Sequence, residues 1–133
     1  MSVKSIRALL VGAATVVARV PEDQIMAGDV PIGTPMPAVS IKEIVSVPVG
    51  AIDGQADRSV VVTRVQVMVM AKAYPEVKPL RDLVRQACNF QRGLIAGVDV
   101  VSIERDTVGP DLQDDAGNYF QSIDFKVTHY EQN

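Results

Sequence analysis

The side chains that could do chemistry are few and scattered. The chain holds one cysteine, Cys88, and one histidine, His129. A zinc site built on them would need carboxylates added, because zinc takes three or four such ligands. Cys88 falls on or beside the apolar stripe of a helical segment, which reads as a buried structural thiol and not as a nucleophile. His129 stands beside Tyr130 near the end of the last strand-like run, where a surface or interface imidazole is expected. Asp111, Asp114 and Asp115 crowd the run VGPDLQDDAGN, but their spacing is not that of a calcium loop, and a solvated acidic loop is the expectation, with a contact role as the alternative. Gly50 and Gly54 lack the spacing and the following helix of a phosphate cradle. The sequence thus assigns no catalytic residue, cofactor or metal. A small ligand-binding or enzymatic domain would need a polar pocket with convergent titratable groups, and only Cys88, His129 and dispersed carboxylates are on offer.

The stretch that positions most of these residues is VVVTRVQVMVMAKAYPEVKPLRDLVRQACN, from Val60 to Asn89. Val61, Thr63, Val65, Val67, Val69 and Ala71 alternate with Arg64, Gln66, Met68, Met70 and Lys72, which predicts a strand with one apolar face. Val77, Leu80, Val84 and Ala87 recur at spacings of three and four, with Leu83 and Cys88 flanking them, so a helix follows and folds back across that face. Pro75 suits a first helical turn, and Pro79 comes early enough to bend the start without breaking the helix. The outward face, with Arg64, Gln66 and Lys72 among Met68 and Met70, suits a subunit interface or a second covering layer.

Around this centre, Ser2 to Val20 predicts one amphipathic helix ended by Pro21, with Gly12 as a weak point. Gln24 to Val30 is a short strand, and VPIGTPMP must loop. Ala38 to Val49 places Val39, Ile41, Val45 and Val47 on one side. Glu43 and Ile44 break that pattern, which signals a bulge or a face that meets another chain. Asp53-Gly54 marks a turn between antiparallel strands. Phe90 to Gly97 reads as a turn region. Val98 to Thr107 is a strand with Val101 and Ile103 on one face, and Tyr119 to Tyr130 is its partner across the acidic loop. The expected fold is α+β: a single domain over residues 1–133, with an antiparallel or mixed sheet of about four to five strands and two helices packed on one face.

Composition agrees with a strand-rich globular domain. The 133 residues are 47% hydrophobic and 22% charged, lack tryptophan and carry a net charge of -3. A domain of this size buries roughly 65 to 70% of its unfolded surface and needs no disulfide, which a single cysteine excludes within the chain in any case. The acidic balance gives no footprint for binding nucleic acid. No run approaches the roughly 20 apolar residues of a membrane span.

The order and wording of the segments resemble the tail-completion, or tail-terminator, proteins of long-tailed bacteriophages and prophages, related in fold to the lambda-type tail terminator. The resemblance spans nearly the whole chain. An opening helix comes first, then PEDQIMAG, PMPAVSIKEI, RVQVMVMAKAYPEVKPLRDLVRQAC and a last strand reading SIDFKVTHYE. It implies a non-enzymatic virion protein, assembled in the bacterial host cytoplasm and residing at the tail end or neck. Such proteins form a ring, commonly a hexamer, on the tail tube, stop its polymerisation and present a surface to a head-side connector or stopper, while DNA passes through the lumen without specific binding. On that resemblance, Arg64, Gln66, Met68, Met70, Lys72, Glu43 and Ile44 are candidates for the subunit interface. Asp111, Asp114 and Asp115 would then form a loop facing the tube or lumen. A head-side neck protein, a stopper or adaptor under the portal, is the alternative role within the virion.

Overall fold

Alternating β-branched residues favour long strands, and a 14-residue strand forms the middle of the molecule. The computed structural model describes residues 2–31, 33–49, 58–114 and 117–132. The Asp53-Gly54 turn and Asp115 lie outside these. In chain order the elements are helix α1 (Ser2–Gly12), a further helical turn α2 (Ala14–Val17), strands β1 (Ile25–Ala27), β2 (Ala38–Pro48) and β3 (Arg58–Ala71), helix α3 (Tyr74–Cys88), then β4 (Gly93–Ile95), β5 (Val98–Val108), β6 (Leu112–Gln113) and β7 (Tyr119–Gln132).

The strands make one sheet in the order β1-β2-β3-β7-β5-β4, with β6 pairing on β7. β1 runs parallel to β2, while the other pairings are antiparallel, so the sheet is mixed. Among the described residues it has seven strands where about four to five were expected. The additional ones are β4 and β6, from stretches that read as turn and loop; at three and two residues they are too short to display a period.

The core lies between one sheet face and the helices. Val61, Thr63, Val65, Val67, Val69 and Ala71 of β3 are all buried, as are Ile123, Phe125 and Val127 of β7. From α3, Val77, Leu80, Val84 and Cys88 pack on them. Pro79 sits within α3 without ending it. From the N-terminal side come Ile6, Leu10, Val16 and Val20. The single helix expected over Ser2 to Val20 is instead interrupted at Ala13, whose backbone is extended (φ -90°, ψ 110°). Gly12, the weak helix former beside it, makes the break cheap. Val16 and Val20 still reach the core beyond the break.

Two bulges reset which side chains face the core, because one inserted residue moves all that follow to the opposite face. In β2 the register shifts between Glu43 and Val45. Val39 and Ile41 pair with Val69 and Val67 on the core face, whereas Val45 and Val47 pair with Arg64 and Val62 on the outer face. The bulge therefore falls where the sequence signalled it, but Val45 and Val47 do not share a face with Val39 and Ile41. In β5 the first of two register shifts lies between Val100 and Ser102, the second between Arg105 and Val108. Val98, Val100 and Ile103 are buried together and Val101 is exposed, which corrects the pairing of Val101 with Ile103.

His129 also departs from expectation: it is buried, 2% exposed. β7 is flanked by β3 and β5 at that point, since His129 pairs with both Val61 and Val100, so the end of the chain is an interior strand and not an edge. Its imidazole is satisfied there. Nδ1 lies 3.3 Å from the Tyr130 carbonyl, which only an N–H can donate to, leaving Nε2 to accept from the Thr63 hydroxyl at 2.9 Å. Thr63 in turn accepts from Ser46 at 3.0 Å.

Candidate assembly surface

The side chains singled out in the sequence fall into four places. Cys88 is fully buried at the end of α3, and burial pushes its thiol up to about 12. A thiol so placed is protonated and shielded at neutral pH. We expect it to resist alkylation in the native protein and to react stoichiometrically once the chain is unfolded in denaturant, as mass spectrometry would show. Rapid native labelling would refute the packing at this helix end.

Arg64 is not a free cation on the outer face. It forms an ion pair with Asp106 and lies 3.9 Å from Asp124, and the Asp106 bond raises its already high pKa. Asp124 is pushed up by desolvation, a shift that Arg64 opposes and Asp106 reinforces. The three join β3, β5 and β7 on the face away from the helices, a local tie that leaves little of Arg64 for another chain.

Gln66, Met68 and Met70 are half-buried along that face, with Lys72 exposed at its end. The segment after β1 reaches over this region. Asp29 pairs with Lys42, Ser40 donates to the Gly28 carbonyl at 2.6 Å, and Gln24 Nε2 donates to the Pro35 and Pro37 carbonyls. Val30, Pro31, Met36, Met70, Lys72 and Asp114 are among the residues around a groove of about 460 Å³. The methionines thus lie beside a covering loop of their own chain.

The acidic segment is folded back and not fully loose. Asp111 accepts from the Tyr74 hydroxyl at 2.6 Å and lies 3.8 Å from Lys78, both on the first turns of α3. Asp114 accepts from the Asn118 backbone N–H at 2.9 Å and the Asn118 side chain at 3.3 Å, closing the turn between β6 and β7. At the base, Gln121 donates to the Gly109 carbonyl at 2.9 Å.

What remains open is the arm formed by the distal half of β2. From Lys42 onward every described residue of the strand is exposed. Ile44 is 50% exposed and Val47 is 53% exposed, with Val45 and Val49 similar. The irregular Ala38 to Val49 strand was a candidate surface from the sequence, with Glu43 and Ile44 singled out in it, while Val45 and Val47 were set on one side with Val39 and Ile41. At the other edge of the sheet, Phe90 is 82% and Leu94 78% exposed. Contiguous exposed apolar side chains of this kind mark contact sites.

Among the described residues, these features make a helix-and-sheet domain with exposed apolar side chains at two places on its sheet, in which Cys88, His129 and the carboxylates singled out above do not converge. The sequence matches the family described as Tail completion protein gp17 over residues 4–130. The chain belongs to that family and is a structural protein of a phage-type virion tail. No curated protein matches it in sequence. Among solved structures, a chain from the virion of a native gene transfer agent (GTA) particle is similar in fold, with a TM-score of 0.69 at 12% identity, covering 95% of this chain and 92% of that one.

Proposed function

We propose that this protein caps the end of a finished tail tube as a homo-oligomeric ring, a hexamer in the reading adopted here, stops tube polymerisation and offers the opposite side of the ring to a head-side connector or stopper. The observation that carries the reading is membership of the tail completion family over almost the whole chain. Likeness in fold to a chain of a phage-like particle supports a place in the virion. A ring built head to tail needs two unlike surfaces on each subunit, and the two exposed apolar edges of the sheet supply them.

In this reading the acidic segment from Asp111 to Asp114, with Asp115, faces the tube or lumen, where negative charge lets DNA slide past without neutralising its phosphates. Asp111 is partly balanced by Lys78. The role predicts that replacing all three with serine impairs DNA passage or joining; unaffected infectivity would remove the assignment.

The whole function is tested by preparing tails in a system lacking only this protein. Tails without it are expected to be of irregular length and unable to join heads, and the purified protein should restore both. Normal, joinable tails in its absence would overturn the proposal, and co-purification with heads made without tails would move it to the head-side neck.

A further inference from the structure

The two exposed edges are matched in level and in charge. The cross-strand register links them by continuous rows through the sheet. Along one row Glu43 pairs with Val65, Val65 with Phe125, and Phe125 with Arg105. Along another, Pro48 pairs with Val61, Val61 with His129, His129 with Val100, and Val100 with Gly93. One bulge interrupts each edge strand between these rows. A carboxylate therefore ends a row at one edge and a guanidinium ends the same row at the other, while apolar residues flank both ends of the second row. Glu43 and Arg105 are both exposed, and neither has a salt-bridge partner among the described residues.

Strand addition is hindered at part of each edge. Val49 N–H donates inward to Val60, so the neighbouring Pro48 occupies an outward position where a donor would otherwise stand. The bulge at Ile44 breaks the remaining row of outward groups, the usual protection of a free edge. On β5 the Ile103 carbonyl accepts from Phe90 N–H at 2.9 Å, and Arg105 N–H donates to Asn89 Oδ1 at 3.1 Å. Side chains are the groups most exposed to a partner here. Phe90 holds a left-handed backbone at φ 65° with its ring in solvent. That conformation is strained for a bulky residue, and strain of this sort clusters at functional positions.

We propose that in the ring, on whose existence this inference rests, the β2 arm of each subunit seats side chain to side chain on the β4–β5 rim of the next. Glu43 meets the partner subunit's Arg105, and Val47 and Val49 cover the partner's Leu94. Copies repeated along the sheet rows meet at equal levels, the condition for a ring that closes without axial rise. A two-fold pairing of β2 arms would leave Arg105 and the Phe90–Leu94 rim uncovered.

The test uses purified full-length protein with tail tubes assembled without it, read by electron microscopy. Wild-type protein forming rings at tube ends establishes the ring; absence of wild-type rings would sink the ring reading and this inference with it. Given wild-type rings, Glu43→Arg or Arg105→Glu should each lower end occupancy about tenfold or more, the range of close interfacial charge pairs, and the double swap should restore it. Single variants that occupy ends normally, or a double swap no better than the singles, would overturn the contact while leaving the ring intact. Independently, Val47→Cys protein mixed with Leu94→Cys protein on tubes should form mixed dimers with a short bis-maleimide, Cys88 being buried. Cross-linking of Val47→Cys only to itself, or no cross-link within rings that form, would equally overturn it.

Discussion

Phe125→Ala is expected to be the most damaging single truncation, lowering stability by about 3–5 kcal/mol. Phe125 is the largest of the fully buried side chains and stands on β7, between Val65 of β3 and Arg105 of β5. Its neighbours on both sides are rigid strands, so the surrounding structure cannot collapse into the space left, and the cavity cost adds to the lost transfer free energy. Against a total of roughly 5–15 kcal/mol for a domain, the variant would be marginal at 37 °C. Urea unfolding checks this. A midpoint shift of the stated size with the slope unchanged is expected; a loss under about 1 kcal/mol would mean that the sheet and helices do not close on this residue as described.

Thr63→Val should cost about 1–3 kcal/mol although it conserves shape. The Thr63 hydroxyl is the partner of His129 Nε2 in a site where both residues are buried. Removing it leaves an imidazole nitrogen desolvated and unpaired, which costs more than the bond itself contributes. Ser46, on the exposed arm, can turn to water. The second substitution His129→Leu removes the orphaned group, so Thr63→Val with His129→Leu should recover part of the loss in a double-mutant cycle. Strict additivity of the two changes would show that the hydrogen bond is not formed in solution.

The parts of the fold legible in the sequence were those with an uninterrupted period. β3 alternates cleanly over its length and α3 keeps its apolar residues at spacings of three and four, so both elements, their buried faces and their mutual packing followed from residue types alone. β2 shows where that reasoning ends. The break at Glu43 and Ile44 was visible, yet the valines on its far side repeat the earlier alternation, and nothing local states which residue is inserted. One residue of register decides whether Val45 and Val47 lie in the core or on the exposed outer face. Val101 was misassigned for the same reason. His129 illustrates a second limit, since its burial depends on β3 and β5 lying on either side, a property of strand order and not of the residues around it. Phe90 and Leu94 carried no periodic signal at all; their exposure follows from the short β4 and the left-handed turn that precedes it.

The candidate interface was correspondingly half visible. Glu43 and Ile44 were found through the irregularity they cause. Arg64, Gln66, Met68, Met70 and Lys72 were named for facing away from the helices, and they do, but Arg64 is tied to Asp106, Met68 and Met70 share a groove with Val30, and Met70 also lies near Met36. Facing away from the core is a weaker condition than being available to a partner. The distal half of β2 is exposed: β1 ends beside Ile41 and, among the described residues, no strand pairs with the rest of β2 on that side.

The claim that the protein terminates tails by closing a ring on the tube is tested most directly by adding it to growing tail tubes and imaging the ends. The account predicts one closed ring at a single end of each tube and arrest of elongation when more tube subunits are supplied. Tubes that continue to grow with the protein present, with bare ends or with subunits scattered along their length, would contradict it.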